Sequence, residues 1–541
     1  VSDEGCALAG LRALVASVAD ALCARSGHER NGQRILETHI SVLLLSGDIA
    51  LKFKKPVDLG FVDFTTLEKR RQLCHEEWRL NRRFAPTLYQ QVVAVVIGED
   101  GEPRLVARQA GQGSAGVERE YAVQMRRFAH EEMLDVRVEA GSVSAEEISG
   151  LVDDIVAFQQ RSAAADAGSG AGSPSLVRQQ VLGSLEHITD LDDEIPVLLR
   201  NELDALADVF ATRCSEGFIR DGHGDLHLSN IVQLEGRPTP FDCIEFNSTL
   251  RVIDTVSDFA FLLMDLDFRG CSELANIAFN RYFDRSGDFD GLAVLRLYLA
   301  YRSLVRAKVA SLQAGDDTVA ASQRDRLGRR RARHVALARE YLAPAGKPAL
   351  WITHGFSGSG KSHHCRRIAA RSGWLHVRSD VERKRLLGVA ADEATGSGLG
   401  EGAYAESVTE QTYARLARIA RTAVSSGFSV IVDASFLSLR QRRLFRALAS
   451  DLGVAWRILD CDAEDAVLRE RIRNRAAGGT DPSEADEAVL THQQRTHEPL
   501  DEDERRVSQS PAAVLNAAAD FGNRAPPQGR ERPGCRFADA P

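Results

Sequence analysis

The chain has 541 residues, too many for one core, which predicts two or three domains. A composition of 44% hydrophobic and 27% charged residues is that of a soluble globular protein, and a net charge of −9 argues against a dedicated nucleic-acid binder, which carries a basic excess. Nine cysteines are scattered without Cys-x-x-Cys pairs or zinc-spaced His/Cys clusters, a pattern of free thiols in a reducing, cytoplasmic setting.

Near the N-terminus, Ala7 to Ala24 is mildly apolar but interrupted by Arg12 and Asp20, with Asp3 and Glu4 where a signal peptide is basic. It reads as an amphipathic helix, and no apolar run approaches the roughly 18 residues of a membrane span. Thr38 to Leu45 reads as a strand, Ser46-Gly47-Asp48 as a hairpin turn and Ile49 to Lys54 as the returning strand. Alternation puts Ile49, Leu51 and Phe53 on one face and Lys52 and Lys54 on the other. The next helix, capped by Thr65 or Thr66, runs to about Phe84, with Leu67, Leu73 or Cys74, Leu80 and Phe84 along its apolar face. Glu77 shares that face, and a buried carboxylate needs a cation. Lys52 supplies one; Glu76, one step round, is the alternative partner. Val92 to Ile97 and Glu120 to Phe128 read as strands separated by a Gly-rich excursion. Ala145 to Arg161 reads as a helix, and Ala163 to Ser175, rich in Ala, Gly and Ser, as a flexible loop.

His223-Gly224-Asp225-Leu226-His227-Leu228-Ser229-Asn230 follows, with Phe241-Asp242 beyond it. An Asp five residues before an Asn is the spacing of a kinase catalytic loop, in which the Asp accepts the proton of the attacking hydroxyl and the Asn holds Mg²⁺. Asp242 comes after a short apolar run and a Gly236-Arg237-Pro238 turn, where a second Mg²⁺-binding carboxylate belongs. A lysine of the second strand then reaches the ATP phosphates; the register fits Lys52 or Lys54, and Lys52, at the end of the apolar run, is favoured.

His223 to Asp242 resembles the active-site loop of the aminoglycoside phosphotransferase family of small-molecule kinases. Together with the second signature below, nearly the whole chain to about residue 505 is similar to bifunctional aminoglycoside phosphotransferase/ATP-binding proteins. The resemblance implies a protein-kinase-like α+β domain, favours Lys52 by position, and makes Asp258, in Asp254-Thr255-Val256-Ser257-Asp258, a structural acid that ties the next helix to the loop. Arg302 and Arg306 share one face of a later helix at i, i+4. In this fold late helices wall the acceptor pocket, so the pair suits a phosphate or carboxylate; a solvated or acid-paired basic face is the other reading.

Ala343 to Pro348 reads as a linker. Ala349 to Thr353 is a buried strand feeding Gly355-Phe356-Ser357-Gly358-Ser359-Gly360-Lys361-Ser362, a full match to the phosphate-cradling loop, with a helical pattern after it. Backbone N–H groups there curl round phosphates, Lys361 reaches the β/γ-phosphates and Ser362 binds Mg²⁺. Asp380 and Arg383, in Ser379-Asp380-Val381-Glu382-Arg383, resemble polynucleotide and zeta-toxin-like kinases, where the Asp activates the acceptor hydroxyl and the Arg helps bind substrate. Asp433 ends another buried strand and fits a carboxylate supporting Mg²⁺ or its waters. Arg471 and Arg475 share a face of a later helix; in the related kinases a mobile lid presents such arginines to the transferring group, and Gly478-Gly479 would allow the movement.

These readings predict an aminoglycoside phosphotransferase-like domain over 1–343, an α/β P-loop kinase domain over 349–506 and a disordered tail over 507–541. The expected activity is ATP- and Mg²⁺-dependent phosphoryl transfer to hydroxyls of small molecules, away from membranes, with nucleic acid left as an acceptor only for the second domain. The rival expectations are an ATP-binding sensor or scaffold without turnover and a polynucleotide or zeta-toxin-like kinase in the second half.

Overall fold

The computed structural model describes residues 3–26, 33–60, 62–109, 117–166, 168–316, 319–344, 346–390, 393, 405–478, 483 and 485–517. The chain opens with a helix, α1 (Asp3–Ser26), followed by β1 (Arg34–Glu37), β2 (Ser41–Ser46) and β3 (Ile49–Lys54). A second helix, α2 (Leu67–Asn81), leads to β4 (Tyr89–Ile97), β5 (Pro103–Arg108) and β6 (Glu118–Arg126). The six strands make one antiparallel sheet in the order β1-β2-β3-β6-β4-β5. The pleat divides β3 as its alternation requires. Leu51 and Phe53 pack with Leu11, Val15 and Val18 of α1, while Ala50 packs with Cys74 of α2 on the opposite face. Lys52 and Lys54 therefore point toward α2.

Thr66 caps α2 by accepting the Lys69 N–H, and the helix ends at Asn81, three residues earlier than its apolar spacing suggests. β5 occupies part of what reads in the sequence as a Gly-rich excursion. The expectation that no segment could span a membrane is corrected by α1. Gly5–Ala24 is long and apolar enough by length and composition, the one such helix among the described residues. Arg12 and Asp20 do not lower it below that threshold, and one side of it seals the sheet.

The body of this half is helical, built on Ala145–Arg161, Thr255–Phe268, Ser272–Ser286, Leu292–Ala314 and Ala321–Leu342. Two short antiparallel pairs lie on it: β7 (Ile219–Asp221) and β8 (Ile231–Leu234) pair with β10 (Val252–Asp254) and β9 (Arg237–Pro240), respectively. An antiparallel sheet with a helix on each face, set over a helical body that carries the loop hairpins, is the protein-kinase-like α+β fold.

The second half is an α/β P-loop fold. Its strands β11 (Ala349–His354), β12 (Leu375–Arg378), β13 (Val430–Asp433), β14 (Ala455–Asp460) and β15 (Ser508–Gln509) pair in parallel in the order β12-β13-β11-β14-β15. Parallel strands are covered on both faces, which accounts for the uninterrupted apolar Val430-Ile431-Val432, all buried. The expected disordered tail from residue 507 is corrected here. Ser508 and Gln509 pair with Ile458 and Leu459, and the helix Pro511–Ala517 buries Val514 against the cluster of Trp351, Cys365 and Ile368. Both ladder residues are polar and the strand is two residues long, so no apolar run marks it. Residues 518–541 lie outside the described residues.

The halves are not beads on a string. Asn276 Nδ2 donates to Ala370 O at 2.9 Å, Asn280 Nδ2 donates to Trp374 O at 3.1 Å, and Asn280 Oδ1 accepts the His376 N–H at 2.7 Å. Phe279 stacks on Phe428 with ring centroids 5.5 Å apart, and a single apolar cluster holds Leu134 and Leu263 of one half with Leu350 and Val432 of the other. Because Phe279 is fully buried in that shared core, Phe279→Ala is expected to cost about 3–5 kcal/mol. In urea unfolding, the loss is expected as one shift common to far-UV circular dichroism and to fluorescence dominated by the second-half tryptophans. A shift in only one signal would mean that the halves unfold independently.

Candidate active sites

The first site is organised by a charge cluster under the sheet. Glu77, fully buried on α2, is 2.8 Å from Lys52 through Oε1 and 2.8 Å from Lys54 through Oε2. Lys52 Nζ also lies 2.5 Å from Asp242 Oδ1, and Lys54 pairs with Glu245. Burial pushes the Glu77 carboxyl up, but the two ammoniums outweigh it and hold the group down at about 2. Burial likewise works against the Lys52 ammonium, yet Asp242 and Glu77 raise its pKa well above the ordinary value, so it stays charged. Of the two lysines left open by the sequence, Lys52 joins Glu77 to Asp242, while Lys54 is enclosed between Glu77 and Glu245. Glu76 pairs outward with Arg79 at 2.6 Å. Glu245, three residues past Asp242, was not singled out in the sequence.

The loop carrying Asp225 is held by its backbone. Asp258 accepts the N–H groups of His223 at 2.8 Å and Gly224 at 2.9 Å. Gly224 has φ +85°, and a Cβ there would sit 2.8 Å from Leu250 O, so the residue after the histidine has to be glycine. Asn230 Nδ2 donates to Asp225 O and Oδ2, both at 3.0 Å, and Asn230 O accepts the Phe241 N–H at 2.9 Å. These bonds stitch Asp225, Asn230 and Asp242 into one constellation. Asp242 itself takes φ +62°, its N–H donating to Tyr89 Oη at 3.2 Å. His227, a further residue not singled out, has Nε2 3.3 Å from Asp225 Oδ2 and 3.1 Å from Arg306 Nη1. Burial alone would raise the Asp225 carboxyl; His227, Arg306 and His223 reverse that and hold it well below the ordinary carboxylate range.

Arg302 is not in a pocket. It is buried, donating through Nε to Ser257 O at 3.0 Å and through Nη1 to Gly224 O at 3.2 Å, so its role is to brace the loop. The expectation that Arg302 and Arg306 act as a pair is corrected accordingly: one turn of helix separates a brace from a group beside Asp225.

In the second site the phosphate-cradling loop lies between β11 and the helix Lys361–Ser372. Gly355, at φ +145°, leaves no room for a Cβ, which would lie 2.2 Å from Cys461 O; at Gly358, φ +85°, it would lie 2.6 Å from Leu468 O. Lys361 Nζ donates to Gly355 O at 3.0 Å and Phe356 O at 2.7 Å, and the Ser357 N–H donates to Gln493 Oε1 at 2.9 Å. The Ser359 hydroxyl is buried without a hydrogen-bond partner, as a phosphate-lined loop would leave it. Phe356 stacks edge-on against His497, and Gly360 lies under Arg471.

Asp433, at the end of β13, is buried and bonded to His376 Nε2 at 3.0 Å and to the Ser362 hydroxyl. Burial raises its carboxyl less than His376, Arg378 and Ser362 lower it, to about 2. Burial lowers the Lys361 pKa, against the pull of Asp433 and Asp380. Asp380 and Arg383, at the start of the helix Ser379–Leu386, both act on buried Tyr413, whose phenol is raised chiefly by burial. Arg471 reaches the loop, 3.2 Å from Gly358 O, whereas Arg475 turns away to Ala485 O. Gly479 of the expected lid hinge lies outside the described residues.

Both sites fit a magnesium nucleotide. In the first, three carboxylates (Glu77, Asp242, Glu245) face two ammoniums, leaving one negative charge at Asp242, the most exposed of the three. In the second, the glycine cradle, the partnerless Ser359 hydroxyl and the ionised Asp433 beside Ser362 provide the donors and the carboxylate that such a ligand needs.

An AAA domain family model matches residues 350–500. The chain is similar to gluconokinase from Sinorhizobium meliloti 1021 (20% identity, 32% of this chain and 91% of that one, TM-score 0.23) and to the amicoumacin kinase hAmiN in complex with AMP-PNP, Ca²⁺ and Ami (15% identity, 57% and 89%, TM-score 0.33). Likeness at these scores carries no argument about chemistry. A protein of Mycobacterium tuberculosis H37Rv and one of Mycobacterium bovis, both described as uncharacterized, are 31% identical over 471 residues, 85% of this chain and 90% of theirs. At that identity and coverage, the chain belongs to the family of these mycobacterial proteins.

Proposed function

We propose that the protein is a cytoplasmic, ATP-dependent phosphotransferase with two nucleotide sites, each moving the γ-phosphoryl group to a hydroxyl of a small molecule. The observation that carries the reading is the gathering of Lys52, Glu77, Asp225, Asn230 and Asp242 from separate stretches into one hydrogen-bonded constellation. Phosphoryl transfer is mostly positioning and charge neutralisation. In the first half Lys52, kept charged by Glu77, holds the phosphates. Asp225 stands ready to take the proton of the attacking hydroxyl. Asp242 and Asn230 would hold Mg²⁺, which neutralises phosphate charge when bound.

In the second half the loop N–H groups and Lys361 cradle the phosphates, and Ser362 with Asp433 would hold the ion. Asp380 takes the acceptor proton, Arg383 binds the acceptor, and Arg471 serves as the lid arginine. Free thiols at all eight described cysteines support a reducing compartment. The resemblance to aminoglycoside phosphotransferases and to bifunctional ATP-binding proteins supports the reaction class, while the acceptor follows from the pocket.

With γ-labelled ATP and a small-molecule extract of the source cells, Asp225→Asn is expected to lower one labelled product by about 10²–10⁴-fold and leave another. Lys361→Ala is expected to do the converse. Tight ATP binding by both halves with no transferred label would instead make the protein a sensor. Because Asp225 is held below the ordinary carboxylate range, it stays ionised through weakly acid pH. The first reaction is therefore expected to show no acid limb between pH 7 and 5 in kcat/KM. An acid limb that disappears in His227→Gln would transfer the base role to the imidazole.

A further inference from the structure

Four arginines lie around the floor of the first site, and they are not equivalent. Arg269 is bound to acids, 3.5 Å from both Asp135 and Asp265 and paired with Glu139. Arg333 donates to Phe268 O at 2.9 Å and lies over the Phe268 ring. Arg306 has His227 as its hydrogen-bond partner and no carboxylate within ion-pair distance among the described residues. Arg330, half-buried, makes no hydrogen bond or ion pair among them.

Helix packing brings the last two together. Leu292–Ala314 and Ala321–Leu342 run antiparallel, zipped where Ser303 Oγ donates to His334 O at 2.8 Å. One turn forward from Ser303 is Arg306 and one turn back from His334 is Arg330, so the two guanidiniums oppose each other across the helix pair. Their field reaches buried His334, where burial first, then Arg306 and Arg330, hold the imidazole well below its ordinary pKa. Arg306 meets the imidazole that touches Asp225, so this positive patch adjoins the carboxylate assigned as base. The neighbouring acids are already engaged: Asp265 accepts the Leu228 N–H, Asp135 accepts the Ser229 hydroxyl, and both face Arg269, so their pull on Arg330 acts from beyond ion-pair distance.

We propose that the acceptor of the first half is an anion, a hydroxyl compound bearing a phosphate or carboxylate group, whose charge is held by Arg306 and Arg330 beside Asp225. The inference rests on the phosphotransfer reading of that site. The acceptor oxygen forms a bond to the γ-phosphorus as the bond from that phosphorus to the bridging oxygen breaks. ADP leaves with the electron pair, and the hydroxyl proton passes to Asp225. A polycationic aminoglycoside is repelled from the same place.

The test uses the full chain carrying Lys361→Ala, saturated with Mg²⁺ and AMP-PNP so that phosphate-binding loops are filled. Ribose 5-phosphate, gluconate, ribose and kanamycin are titrated by calorimetry. One of the two anions is expected to bind at least tenfold more tightly than ribose, and which one identifies the charged group. Arg306→Ala and Arg330→Ala are each expected to weaken it at least tenfold, with Arg306→Lys recovering part of the loss. The proposal is overturned if neither anion is preferred to ribose, if kanamycin binds best, or if both alanine variants keep the anion affinity. Failure of AMP-PNP to bind at a Lys52-dependent site removes the phosphotransfer reading instead, and the anion preference measured without nucleotide still decides this one.

Discussion

A charged carboxylate with no exposure to water sets the terms for the first half of this protein. Glu77 is tolerable at the centre of the kinase-like half because two ammoniums reach it, one on each oxygen. Removing one partner of such a group leaves an uncompensated buried charge, which is far more costly than the pair is stabilising. The sheet register, the rotation of α2 and the approach of the Asp242 loop are thereby fixed together. Each is the element that delivers one member of the cluster. Asp242, the most exposed carboxylate of the cluster, is the one that this arrangement leaves facing outward.

What could be read in the sequence was whatever had a short-range period or a fixed spacing. The apolar face of α2 put Glu77 inside, the Asp225-to-Asn230 interval marked the loop, and the glycines of residues 355–360 announced the phosphate cradle. What could not be read depended on partners far along the chain. The local pattern favours Lys52 over Lys54 but does not divide their work; Asp242 and Glu245, nearly two hundred residues on, do that. Nothing in the sequence marks His227; its contact with Arg306 arises from the fold. Arg302 and Arg306 seemed alike because helical spacing reports a common face and is silent on depth. β15 was missed because its place at the sheet edge depends on two backbone pairings with β14 rather than on side chains. α1 reads as a helix in the sequence, but that its length and apolar composition suffice for a membrane span does not.

The two halves meet through polar as well as apolar contacts. Asn280 spends both ends of its amide on the edge strand β12, replacing the neighbour that an outer strand lacks. That strand carries His376, the partner of Asp433, and runs directly into Asp380. A helix of the first half thus trims the exposed edge of the second half's sheet and steadies the strand from which two of its acidic and basic groups project.

The shared core also orders events during synthesis. The helix Ser272–Ser286 is complete well before Phe428 exists, so on the ribosome Phe279 lacks its stacking partner from the second half while the first half is otherwise made. Domains usually finish one at a time as they emerge. Here the earlier one is left with a sticky flank until the later one has been made. This chain therefore carries an apolar flank through an interval that two separately packed domains would not have, and its two halves reach their final packing together.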